Sequence, residues 1–188
     1  VRPCGIAVAS SAVTARVQSS MAEGVRWRRP ERPELVYVGL CGVVLLAVTR
    51  FVVERNWGGD YWEHAAAAVE LAQHPLAPSN PYTGTPGDSV LLDTWHLLVG
   101  FLSRTGLGVQ GAFVVAAVVQ LIAVLAALRS FARHFVRWTW AGPCFLVGTL
   151  VFWGWQPSRW SGFLDFNGLG FVIPYPSTGA TALMLWGA

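Results

Sequence analysis

The run Asp60-Tyr61-Trp62-Glu63-His64 places two carboxylates and an imidazole within one helical turn. These are the side chains that exchange protons near neutral pH. Glu63 and His64 follow Asp60 at i+3 and i+4, so a helix over this segment gathers all three on one side. Asp60 and His64 also stand at a spacing that metal sites use, yet no third ligand is evident beside them. A plainer reading competes. Asp-x-x-Glu ahead of Ala65-Ala66-Ala67-Ala68 is a capping signature, with Asp60 at the N-cap and Glu63 three residues on. It accounts for both acids without chemistry, and the two readings are compatible.

The remaining polar candidates have ordinary structural uses that come first. Arg159 anchors a span end at the headgroups and Asp165 caps a turn. Asp93 and His96 form the wet face of a short helix, and His134 is solvated among arginines. Gln120 lies mid-span, where a helix–helix hydrogen bond is the usual role. Cys4, Cys41 and Cys144 are scattered and odd in number, which excludes a disulfide framework and a zinc site of the CxxC kind. No nucleotide-binding glycine loop, Ser-His-Asp set or nucleic-acid patch is present.

The elements that carry these residues follow from composition. Hydrophobic residues make up 54% of the 188 and charged residues 12%, against about 25% charged in soluble domains. The charges cluster between long apolar runs, each near the ~20 residues that cross a bilayer as helix. Residues 1–33 read as a disordered basic tail and 34–188 as a transmembrane region. Its spans are expected at about 35–53, 109–128 and 138–155, with a truncated one at 176–188 that begins at Pro176-Ser177. A stop halfway through the bilayer would strand backbone carbonyls in hydrocarbon, so the chain is expected to be the N-terminal part of a longer protein. The fold class is all-α, a polytopic membrane helix bundle with two juxtamembrane helices in the first outer loop.

Arginine placement sets the orientation. Arg26, Arg28, Arg29 and Arg32 precede the first span, and Arg129, Arg133 and Arg137 separate the second from the third. The positive-inside rule then puts the N-terminus in the cytoplasm and the long loop 54–108 outside. Within that loop Asp60 to Gln73 reads as one short helix, and His74 to Pro81 as a stiff polyproline-like stretch. Asp88-Ser89 is expected to cap a second helix, Val90 to Arg104, lying in the membrane surface. Asp93, His96, Gly100, Ser103 and Arg104 form its polar face, opposite Leu91, Leu92, Trp95, Leu98, Val99 and Leu102.

This layout resembles the GT-C superfamily of membrane glycosyltransferases. Asp60-Tyr61-Trp62-Glu63-His64 stands where that family keeps a catalytic acid, after the first span. Ser158-Arg159-Trp160-Ser161-Gly162-Phe163-Leu164-Asp165-Phe166-Asn167-Gly168 is similar to a stretch in the second outer loop of oligosaccharyltransferase catalytic subunits. The resemblance implies transfer of a sugar from a polyprenyl-phosphate carrier to an acceptor on the outer face of a membrane, in a bacterium its plasma membrane. Asp60 would be the general base, with Glu63 beside it and His64, Arg159 and Asp165 on substrate, Arg159 at the lipid phosphate. Some relatives use a divalent metal, but this chain has no Asp-x-Asp motif. The competing reading is a non-catalytic membrane protein, a transporter or assembly subunit, with the outer loop as a structural cap.

Overall fold

Runs of alanine, valine and leucine wind into helix along most of the described chain. Pro33, Pro143 and Pro176 each fall in a first turn, where a missing N–H costs no hydrogen bond. The computed structural model describes residues 31–54, 60–151 and 166–188. Arg159 and Asp165 therefore lie outside the described residues, as do Cys4 with residues 1–30 of the tail and the tryptophans Trp153, Trp155 and Trp160, while Arg32 and Pro33, read as tail, already belong to helix. Arg32–Ala188 packs as one unit.

The elements are α1 (Arg32–Val53), α2 (Tyr61–Gln73), α3 (Thr94–Leu102), a π segment (Ser103–Leu107), α4 (Gly108–Phe135), α5 (Ala141–Val151), α6 (Phe166–Val172) and α7 (Pro176–Gly187). Among the described residues there is no strand, only an isolated bridge between Ser79 and Pro86. The fold is all-α.

α4 is the central post, packed against α7, α5 and α1. One core joins Tyr37, Val44, Val48 and Val52 of α1 to Leu121, Val124 and Leu128 of α4, with Leu146, Ile173 and Ala182. The Tyr37 hydroxyl donates to the Leu125 carbonyl. Glu34 at the start of α1 pairs with Arg129 and with Arg133, the latter at 2.7 Å, so α1 and α4 run antiparallel. A second core, Tyr61, Ala65, Ala68, Val99, Ala112, Phe113 and Ala116, fixes α2 and α3 to the first turns of α4. Small residues permit the close approach: a Cβ on Gly100 would stand 2.5 Å from the Ala68 carbonyl oxygen.

Several expectations need correcting. The second loop helix begins at Thr94, not Val90, because Ser89 to Leu92 closes into a turn (Leu92 N–H to the Ser89 carbonyl, 3.0 Å). Asp93 is the cap, its side chain accepting the His96 N–H at 2.9 Å. The helix ends early, in a kink where Gly106 has φ 98°, a conformation open to glycine. The stretch from His74 folds back through a turn, and the Ser79 N–H reaches Glu70 Oε1 at 2.7 Å. α4 continues seven residues past Leu128, its last turns held by the Glu34 pairs. Gln120 is buried against Gly179 of α7, and its amide finds no partner among the described residues.

By length and composition two helical stretches could cross a membrane, Arg32–Val53 and Thr94–Phe135. The second is broken at the π segment, which leaves Gly108–Phe135 as its continuous part, about 42 Å long at 1.5 Å per residue.

Candidate functional site

The site forms where α2, α3 and the residue ahead of α7 converge, at the end of the bundle opposite Glu34. Asp60 occupies the N-cap position of α2, but its side chain makes no capping hydrogen bond. Only its backbone carbonyl serves the helix, accepting from the Glu63 and His64 N–H groups at 3.0 and 3.3 Å. The carboxylate turns instead to His64, with Oδ2 3.4 Å from Nε2, and its side chain stays 56% exposed.

His64 is buried and its ring runs on into the protein. Its Nδ1 lies 2.7 Å from His96 Nε2, and His96 Nδ1 lies 2.8 Å from Asp93 Oδ1. The Tyr175 ring stacks on His64 with centroids 4.6 Å apart. Burial pushes the Tyr175 phenol above its ordinary range, and the Asp60 carboxylate, to which it hydrogen-bonds, adds to the effect. Burial likewise lowers the His96 imidazole, with Asp93 pulling the other way. His64, His96 and Asp93 thus form a hydrogen-bonded row through the α2–α3 interface, with the Asp60 carboxylate at ion-pair distance from its outer end.

Sequence reasoning placed Asp93 and His96 on a wet face. The structure leaves Asp93 at the surface, its side chain 41% exposed, but turns His96 inward: His96 is 0% exposed, while Leu98 is 58% exposed. The polar face packs on α2 because Gly100 sits on it, and only a face without a Cβ fits against Ala68. Tyr175 and the pairing of the two histidines were not anticipated. The available signal was that Asp93-x-x-His96 echoes Asp60-x-x-x-His64.

Glu63 points away from this row. It accepts a hydrogen bond from the Tyr82 hydroxyl at 2.7 Å, which ties the loop to α2 and holds the Tyr82 phenol above its ordinary range. Of the five residues expected to act together, the structure brings Asp60 and His64 into contact and gives Glu63 another partner. Arg159 and Asp165 lie outside the described residues. No group of three or more metal-ligating His, Cys, Asp or Glu occurs among the described residues. A cavity of about 490 Å³ opens at the other end of α2, lined by Val69, Ala72, Gln73, Ser103, Arg104 and Val109. It is separate from the row, and Arg104 there donates to the Ala72 carbonyl at 3.1 Å.

No family model, curated protein or solved structure matches this chain. The arrangement has to be read from its own chemistry. A carboxylate in water, backed by an imidazole with a fixed neighbour, can accept a proton from a substrate hydroxyl and pass it inward.

Proposed function

We propose that the chain is the N-terminal, loop-bearing part of a GT-C-like membrane glycosyltransferase, with Asp60 as its general base. The membrane part of the reading is supported by the surface of the bundle. Only 22% of the apolar window of α1 is buried, unlike the core helix of a soluble protein. Val43, Leu46, Val119, Ile122 and Val147 point outward at 43–76% exposure, a surface that suits lipid and would be costly in water. Two spans and a short apolar helix fit a polytopic bundle, and the arginines favour a cytoplasmic N-terminus. Asp60 then belongs to the outer side, with α2 and α3 as the juxtamembrane pair.

The observation that carries the function is an Asp60 carboxylate not spent on the helix it begins. A helix cap would commit its oxygen to a backbone N–H, whereas this one faces water on one side and His64 on the other. In the proposed reaction an acceptor hydroxyl attacks the anomeric carbon of a lipid-linked sugar. The bond from that carbon to the phosphate oxygen breaks, its electron pair leaves with the carrier phosphate, and the hydroxyl proton goes to Asp60. Among the described residues no Asp, Glu, Lys, Arg or His lies at the middle of α1 or α4, where a transport pathway would want one.

The test is Asp60→Asn and Asp60→Ala in the full-length protein. With no capping bond to lose, both variants fold and insert like the parent, and alanine forgoes little of the ~1 kcal/mol a true cap would cost. Both lose transfer from a polyprenyl-phosphate sugar by about 100-fold or more. Parent-like turnover by Asp60→Asn would remove the enzyme reading.

A further inference from the structure

We propose that His64, His96 and Asp93 form a proton relay behind Asp60, a site that takes one proton from the Asp60 carboxylate, holds it on the histidine pair, and returns it. Its use in sugar transfer rests on the reading above; its existence as a proton site does not.

The hydrogen bonds dictate where the protons sit. An ionised Asp93 only accepts, so the His96 Nδ1 it faces at 2.8 Å carries hydrogen. His96 is fully buried, which favours the neutral ring, so its Nε2 keeps a lone pair. That nitrogen is an acceptor, and His64 Nδ1, 2.7 Å away, has to be the donor. One tautomer of His64 remains. Its Nε2 presents a lone pair toward Asp60 Oδ2 at 3.4 Å, and two acceptors so placed have room for one proton between them. The logic is that of any base oriented by a third group, extended by one imidazole.

The transfer balances without a co-reactant. A proton on Asp60 moves to His64 Nε2: the carboxyl O–H bond breaks, the N–H bond forms, and the carboxylate is restored. The imidazolium then donates both ways, to Asp60 and to His96. A second hop, from His64 Nδ1 to His96 Nε2, moves the charge inward against Asp93 and leaves His64 neutral. Reversal returns the proton to Asp60.

The other groups facing the row are few. Tyr61 and Glu63 belong to α2, Tyr82 is engaged by Glu63, and the Tyr175 hydroxyl bonds to Asp60. The apolar residues that α4 contributes to this interface are Val109, Ala112, Phe113 and Ala116. Arg104 is held at Ala72, at the far end of α2. Among the described residues the arginines of α4, Arg129 and Arg133, are held by Glu34 at its far end, and two carboxylates, Asp60 and Asp93, bracket the stored proton.

The experiment is ring-nitrogen NMR of the full chain in lipid nanodiscs, labelled with ¹⁵N-histidine and ¹³C-aspartate and titrated through the histidine range. His74 and His134, both exposed, serve as references. At neutral pH His64 shows Nδ1–H with a bare Nε2, and His96 shows Nδ1–H. On acidification His64 Nε2 and the Asp60 carboxyl respond in one joint step. Asp93→Asn keeps the capping oxygen but removes a charge that steadies the imidazolium, so the step moves to lower pH. Asp60→Asn abolishes the joint step. A His64 found with bare Nδ1, or His64 and Asp60 titrating independently and unmoved by Asp93→Asn, overturns the relay. None of these readouts needs a sugar donor, so loss of the transferase reading would leave them standing.

Discussion

A carboxylate at the first residue of a helix can close the exposed N–H groups of the first turn or turn outward, and its neighbours decide. At Asp60 the outward choice goes with an imidazole one turn on; at Asp93 a single oxygen serves both the His96 N–H and the His96 ring. Spacing could not separate these cases, because Asp-x-x-Glu and Asp-x-x-His both satisfy a capping pattern. Glu70 offers a clean test of the same physics away from the site. Its carboxyl is held below the ordinary value, chiefly by the Ser79 N–H and further by His74. The unfolded chain therefore takes up the proton first as pH falls. The contribution of Glu70 is complete above its ordinary value, near 4.3, and disappears as pH drops through the lowered folded value. The protection of the Ser79 amide, taken against its intrinsic exchange rate at each pH, is expected to fall over that window. Glu70→Gln should leave that protection low at neutral pH and without the acid step.

At the scale of elements, the approach of α3 to α2 decides whether the two histidines meet. A periodicity of 3.6 shows which residues share a face, but not which way the face turns. Asp93, His96 and Gly100 were legible as one stripe, and water was the natural guess for its partner. The alanines of α2 gave the other half of the answer, since Ala65, Ala67 and Ala68 are buried and leave room for a backbone. Gly100→Ala is expected to push the helices apart, because its Cβ would meet the Ala68 carbonyl at 2.5 Å. A loss of about 1–3 kcal/mol in the thermal or denaturant unfolding of this unit follows, along with a weakened His64–His96 hydrogen bond by NMR. Gly42→Ala in α1, where nothing lies within 4 Å, is the control and should be neutral or gain up to about 1 kcal/mol.

For the whole molecule, apolar runs made the long helices readable, since nothing but helix satisfies twenty consecutive apolar residues in lipid. Their ends were less so. α4 outlasts its apolar run because Glu34, 95 residues before Arg129, reaches across to neutralise the arginines, a contact no local pattern encodes. The proposed topology is tested with single cysteines in a background lacking Cys4, Cys41 and Cys144. Ala77→Cys, on the exposed loop, should react with a membrane-impermeant thiol reagent added to intact cells. Ser130→Cys, exposed near the arginine end of α4, should react only after the cells are opened. The reverse pattern would invert the orientation and place Asp60 inside.

The Glu34 clasp has one more consequence. It is built from partly exposed ion pairs, which dissolved salt screens over roughly a Debye length of 8–10 Å. The opposite end of the bundle is held by imidazoles and packed alanines, to which salt means little and acidity a great deal. On the proposed topology these ends face two different solutions. Cytoplasmic ionic strength would then act on how firmly α1 and α4 are tied, while the medium outside acts on Asp60 and its histidines, each without a direct effect on the other.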